Sequence, residues 1–253
     1  MKETVNEIRR GLTDKPVTVK GTIVEKCTFS NTAFGDGELI IDKDFLDVMN
    51  NIAHELKFDG DLYAILLTLN SKIKNYYYSD ENNPLSRAAT YNNSLVIDDE
   101  GMILGTKISS LKGKNIAKCS EKSLAAYIIL KQLHSNGKVN WKTTLIMSSL
   151  GTEARKKEPH AFLIIDNDEK EFPFKHLLWD IENPTYVSDN DDKKMWLLGL
   201  YSLSDESRKD IEEGYQCFPD SLYSFIYDYK ELGEKRIYGS RIKDNGFGGQ
   251  SNS

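Results

Sequence analysis

Lys118-Cys119-Ser120-Glu121-Lys122-Ser123-Leu124-Ala125-Ala126-Tyr127-Ile128-Ile129-Leu130 is the stretch from which the rest of the chain is read. Leu124, Ala125, Ile128, Ile129 and Leu133 recur at helical spacing, and Ala126 and Leu130 widen the apolar face until little of the circumference is left polar. A helix from Ser120 to about Leu133 with that pattern is expected to be nearly enclosed by other elements. Cys119 falls just before, or on, its first turn. There, unpaired backbone N–H groups and the positive end of the helix dipole stabilise a thiolate, and Lys118 and Lys122 add positive charge. Taken alone, Cys119 reads as a core thiol, since free cysteine is among the most buried residues.

Two later segments change that balance: Pro159-His160-Ala161-Phe162 and Trp179-Asp180-Ile181-Glu182-Asn183-Pro184. Ala161 to Asp166 reads as a strand, Asn167 to Glu171 as a turn and Phe174 to Asp180 as the returning strand. A turn centred on Lys170 sets His160 opposite Asp180, Phe162 opposite Leu178 and Ile164 opposite His176. A carboxylate facing an imidazole in this way holds it in one tautomer, and a slip of one residue sends the two to opposite faces. Cys119, His160 and Asp180 thus supply the nucleophile, the base and the group that orients the base. His176 is the alternative base. His134, before Ser135-Asn136-Gly137, has the place of a helix C-cap, and His54 lacks the second histidine of a zinc helix and reads as polar surface.

The three segments resemble the Cys, His and Asp motifs of the transglutaminase-like superfamily, which often shows Cys-x-x-x-Ala, His-Ala and Asp-x-x-Asn-Pro at these places. The resemblance covers about residues 111 to 187; Ser123 stands at the motif's Ala position, and Lys118 where that family often has glycine. It implies an α+β, papain-like arrangement, with the cysteine helix packed on an antiparallel sheet that carries His160 and Asp180. It also implies acyl-enzyme chemistry at amide carbonyls of a protein or peptide: a cysteine peptidase, a glutamine deamidase or a crosslinking transglutaminase. The backbone N–H of Cys119 and the side chains of Asn115, Asn92 or Asn93 are candidates for the oxyanion donor. One rival keeps the fold as a catalytically silent binding or regulatory module. Another makes Cys119, His160, Asp180 and His176 a zinc site, but paired ligand spacing is absent. An arylamine-type acyltransferase shares the triad but has an Arg-Gly-Gly approach to its cysteine that this chain lacks.

A length of 253 residues allows one sizeable core, and 39% hydrophobic with 28% charged residues is ordinary for a globular protein. The expected organisation is one domain over 1–242 with an N-terminal elaboration over about 1–100 and a flexible tail, 243–253. A net charge of −6 with mixed signs argues against bulk nucleic-acid binding, and the polar start and short apolar runs argue for a cytoplasmic protein without a membrane segment. Cys27, Cys119 and Cys217 form no C-x-x-C, and no cofactor or metal is called for.

Elsewhere, residues 1–11 have helical composition and 17–24 the look of a strand. Gly35-Asp36-Gly37 reads as a turn, Leu39 to Ile41 as a strand, and Asp42 or Asp44 as the cap of a helix to about Lys57. Asp61 to Tyr78 reads as helix first and strand later, with Tyr76-Tyr77-Tyr78 alternating. Asp80 to Ser94 reads as loop, and Ser94 to Leu104 as a hairpin turning at Asp99 to Gly101. Asp189 to Asp192 reads as a solvated loop, 196–203 as a strand, and Pro219-Asp220 as the start of a helix to about Leu232.

Overall fold

The computed structural model describes residues 6–9, 17–19, 22–56, 62–78, 87–150, 158–167, 175–182, 186–188, 194–196, 200–213, 221–226 and 238–242. The first part of the chain forms β1 (Asn6–Arg9), β2 (Val17–Val19), β3 (Thr22–Thr32), β4 (Gly35–Ile41), α1 (Lys43–Glu55), α2 (Leu62–Tyr77), α3 (Arg87–Ser94), β5 (Leu95–Ile97) and β6 (Ile103–Lys107). A 3-10 turn, Ile108–Leu111, leads to α4 (Cys119–Ser135), followed by β7 (Lys142–Leu150), β8 (Glu158–Asp166) and β9 (His176–Trp179). Then come β10 (Tyr186–Ser188), β11 (Lys194–Trp196), β12 (Leu200–Leu203), α5 (Asp205–Glu212), β13 (Ser221–Ile226) and β14 (Tyr238–Ile242). The architecture is mixed α+β. Among the described residues, one sheet has seven strands in the order β1-β7-β8-β9-β12-β13-β14, a second has five in the order β2-β3-β4-β6-β5, and β10 pairs with β11.

Helix α4 lies at the centre. It packs on β7 and β8 of the larger sheet and, on its other sides, on β3, α1 and α2. Every residue from Cys119 to Leu130 is buried, as expected of a helix without a polar face. One apolar cluster runs from Cys27 in β3 to Leu200 in β12, so the N-terminal elements and the larger sheet share a core through α4. On the larger sheet, odd-numbered Leu145, Ala161, Leu163 and Trp179 join that core, while Ile146, Phe162, Ile164 and Leu178 form a second cluster with Ile211 of α5. Among the described residues no helix is long and apolar enough to cross a membrane.

Several local expectations hold. Asp42 caps α1, its side chain accepting the Phe45 N–H, and Phe45, Met49 and Ile52 face the core. Asp98 Oδ1 accepts the N–H groups of Glu100 and Met102 at 3.0 and 2.8 Å, closing the β5–β6 hairpin. Others are corrected by tertiary pairing. Residues 6–9 form a strand, because they complete the edge of β7. Ile65, Leu66, Leu69, Ile73, Tyr76 and Tyr77 are buried at helical spacing, so α2 continues through the tyrosines instead of turning into a strand. Arg87 to Ser94 is helical, with Thr90 and Ser94 buried one turn apart, and 221–226 is a strand held between β12 and β14. The turn expected at Gly35-Asp36-Gly37 lies two residues earlier, at Ala33 and Phe34. Asp189 to Asp192 and the tail beyond 242 lie outside the described residues.

The parallel junction of β4 and β6, Leu39↔Thr106 and Ile40↔Lys107, brings their backbones close. Gly105 has φ +151°, and a Cβ placed there would sit 2.6 Å from the Glu38 carbonyl oxygen. Gly105→Ala is therefore expected to lower unfolding stability by about 1–3 kcal/mol, read from urea denaturation.

Candidate active site

The chain enters α4 through Lys118, whose backbone is extended (φ −111°, ψ −167°), a conformation open to any residue, so the turn into Cys119 needs no glycine. The buried Glu121 carboxylate fixes this entry: Oε2 accepts the Lys118 N–H at 3.0 Å and Oε1 accepts the Ala33 N–H at 2.7 Å. Burial raises the Glu121 pKa, against the pull of the N–H groups it accepts. The end of α2 grips the preceding loop. Carbonyls of Tyr76 and Tyr77, left without helical partners, accept the N–H groups of Gly113 and Asn115 at 2.9 and 3.0 Å. The Tyr77 hydroxyl donates to the Glu121 carbonyl at 3.0 Å, and the Tyr78 hydroxyl to the Ala117 carbonyl at 3.4 Å.

One turn into α4, Ser123 Oγ donates to the Ala161 carbonyl at 3.0 Å, which sets the helix start beside His160. His160 Nε2 and Asp180 Oδ2 are 2.8 Å apart, and Asp180 Oδ1 accepts the Glu182 N–H at 3.1 Å. Cys119 is a second hydrogen-bonding partner of His160. With Nε2 taken by Asp180, Nδ1 is the ring nitrogen left for the sulfur. Burial alone would lower the His160 pKa, but hydrogen bonds and charge from Asp180 and Cys119 outweigh it and push it up to about 10.

The strand register differs from expectation in an instructive way. Ile164 faces Leu178, where His176 was expected, and His176 faces Asp166, so the hairpin is displaced by two residues. Its end explains why: Asn167 donates its N–H to the Lys175 carbonyl at 2.8 Å. The expected register would have paired Asn167 with Pro173, and a proline has no N–H to give a ladder. A shift of two preserves the side of every side chain, so His160 and Asp180 meet diagonally instead of directly.

The other candidates are dispersed. Asn92 and Asn93 sit exposed on α3. Asn115 is exposed in the loop before Cys119, in the left-handed conformation (φ 59°) that asparagine adopts more readily than most residues. His176 begins β9 and belongs to another cluster: Nδ1 lies 2.7 Å from Asp166, Nε2 2.8 Å from Asp205, and Arg208 chelates Asp166. That engagement removes it both as an alternative base and as a fourth zinc ligand beside Cys119. His54 and His134 are exposed, Cys27 is buried in β3 and in no disulfide, and Cys217 lies outside the described residues.

No protein-family model, curated protein or solved structure matches this chain. The site stands on its own geometry.

Sequence inspection missed what surrounds the three residues. Glu121, third in its helix, carries the signal of a capping box, although lysine replaces the usual Ser or Thr cap. Lys122 was expected to lend its charge to Cys119, but its ammonium lies 2.6 Å from Glu182 Oε2. Nothing in the local sequence announces that pair.

Because the folded pKa of His160, about 10, exceeds the ordinary 6.5, the folded state holds its proton longer. The associated stability is complete below pH 6.5 and is lost as pH rises through 10. Melting temperature is therefore expected to fall between these limits more steeply in the wild type than in His160→Ala, a difference that differential scanning calorimetry across pH would show.

Proposed function

We propose that this protein is a thiol enzyme of papain- or transglutaminase-like arrangement that attacks amide carbonyls of a protein or peptide substrate. The observation that carries the proposal is the 2.8 Å contact of His160 with Asp180 while the same imidazole bonds Cys119. An imidazolium beside the sulfur favours the thiolate, and the carboxylate favours the imidazolium. Cys119 Sγ would bond to the carbonyl carbon, His160 would pass its proton to the leaving amine as the C–N bond breaks, and an acyl-enzyme would remain. Water or a lysine amine, losing its proton to His160, would then displace the sulfur and return the thiol. Water on a peptide bond gives proteolysis, water on a glutamine side chain gives deamidation, and an amine gives a crosslink. The Cys119 N–H would be one oxyanion donor, and of the three candidate asparagines Asn115 stands nearest to Cys119 in sequence.

A second reading, a catalytically silent binding or regulatory module, draws on the closure of the site: Cys119 is only 1% exposed and His160 8%. Cys27 is equally buried, at 1%, and therefore serves as an internal control for reactivity.

Labelling with iodoacetamide at pH 6.5, followed by intact and peptide mass spectrometry, separates the two. Cys119 is expected to react about tenfold or more faster than Cys27, and to lose that advantage in His160→Ala and largely in Asp180→Asn. Equal rates for the two thiols, unchanged by His160→Ala, would sink the enzyme proposal. Incubating wild type and Cys119→Ala with cell lysate should then yield cleaved, deamidated or crosslinked proteins with wild type alone.

A further inference from the structure

Glu182 holds two things at once. Its backbone N–H donates to Asp180 Oδ1 at 3.1 Å, an Asx turn that leaves Oδ2 for His160. Its side chain accepts from Lys122 Nζ at 2.6 Å. Lys122 stands three residues after Cys119, on the same side of α4. The Tyr78 ring covers the ammonium, with Nζ 4.9 Å from its centroid, and the Tyr78 hydroxyl reaches back to the Ala117 carbonyl, two residues before Cys119.

Lys122 is nearly out of water, with 7% of its side chain exposed against 30% for Glu182. Burial lowers its pKa, but the Glu182 and Tyr78 contacts outweigh that, so it stays charged, while nearby Lys74 is lowered first by burial and then by the charge of Lys122. Apolar side chains in place of such a pair generally give equal or greater stability, so stability alone does not account for a lysine at this place. What the pair does supply is direction: a short charge-assisted bond from the cysteine helix to the turn that aims Asp180.

We propose that Lys122 and Glu182 are positioning residues, a strut that ties the Asp180 turn to the cysteine helix and so holds the His160 imidazole between Asp180 and Cys119. The catalytic consequence rests on the thiol-enzyme proposal; the geometric claim does not. Without the strut the Asp180 turn loses its direct tie to the cysteine helix, and the carboxylate loses its aim at Nε2.

The test follows two signals in the full chain: the titration midpoint of the His160 imidazole by NMR, and the rate of Cys119 alkylation at pH 6.5. Lys122→Met and Glu182→Gln are expected to lower the His160 midpoint by about one unit and to slow alkylation about fivefold or more, whereas Lys122→Arg keeps both near wild type. The double variant Lys122→Met/Glu182→Met replaces the pair by apolar groups of similar length. It is expected to melt near the wild-type temperature yet keep the lowered midpoint, which a purely structural role would not produce. Should a single variant fail to fold, the double variant decides. An unchanged His160 midpoint in folded Lys122→Met, or in the double variant, overturns the strut even if Cys119 proves reactive. A lowered midpoint supports the strut; if wild-type Cys119 is at the same time indifferent to His160→Ala, only the enzyme proposal falls.

Discussion

The start of α4 is buried although four successive residues there, Ser120, Glu121, Lys122 and Ser123, are polar. A polar group taken out of water is costly unless it finds a partner, and a charged one more so. That constraint organises the molecule. Glu121 is satisfied by the N–H groups of Lys118 and Ala33, Lys122 by Glu182 and Ser123 by the Ala161 carbonyl. Three segments far apart in sequence, the β3–β4 turn, the start of β8 and the turn after β9, are thereby drawn to one end of one helix.

The same partners assemble the candidate site. Ser123 brings the His160 strand to Cys119, and Glu182 brings Asp180, so the three groups meet where the helix begins. Elements upstream close the arrangement from the other side, since the end of α2 holds the Gly113 to Ala117 loop by backbone and tyrosine hydroxyl. The first hundred residues, which carry no motif of their own, thus help to shape the cysteine turn.

Local pattern predicted some of this well and some poorly. The spacing of Leu124, Ala125, Ile128, Ile129 and Leu133 announced α4 and its enclosure, because a helix apolar all round has no other stable setting. Asp42 as a cap and the Asp98 to Gly101 turn were equally plain, since each works through bonds to its own neighbours. Asn6 to Arg9 and Ser221 to Ile226 have helical signals in their own sequence, but their strand character comes from distant partners, Leu145 to Ser148 for the first and the strands on both flanks for the second. Tyr76 to Tyr78 misled through their alternating look, where the buried positions continue the period of α2.

By itself, then, the sequence determined the cysteine at the head of a buried helix, which follows from short-range periodicity, while the α+β class was what the motif resemblance implied and the shared side of His160 and Asp180 hung on a register that local pattern left open. Only the tertiary structure decided the two-residue displacement of that hairpin, the release of His176 to the Asp166 and Asp205 cluster, and the contact of His160 with Cys119. It alone decided, too, that Lys122 faces Glu182 and Glu121 faces Ala33. A buried polar group requires some partner, but which one depends on what the folded chain brings within hydrogen-bonding reach.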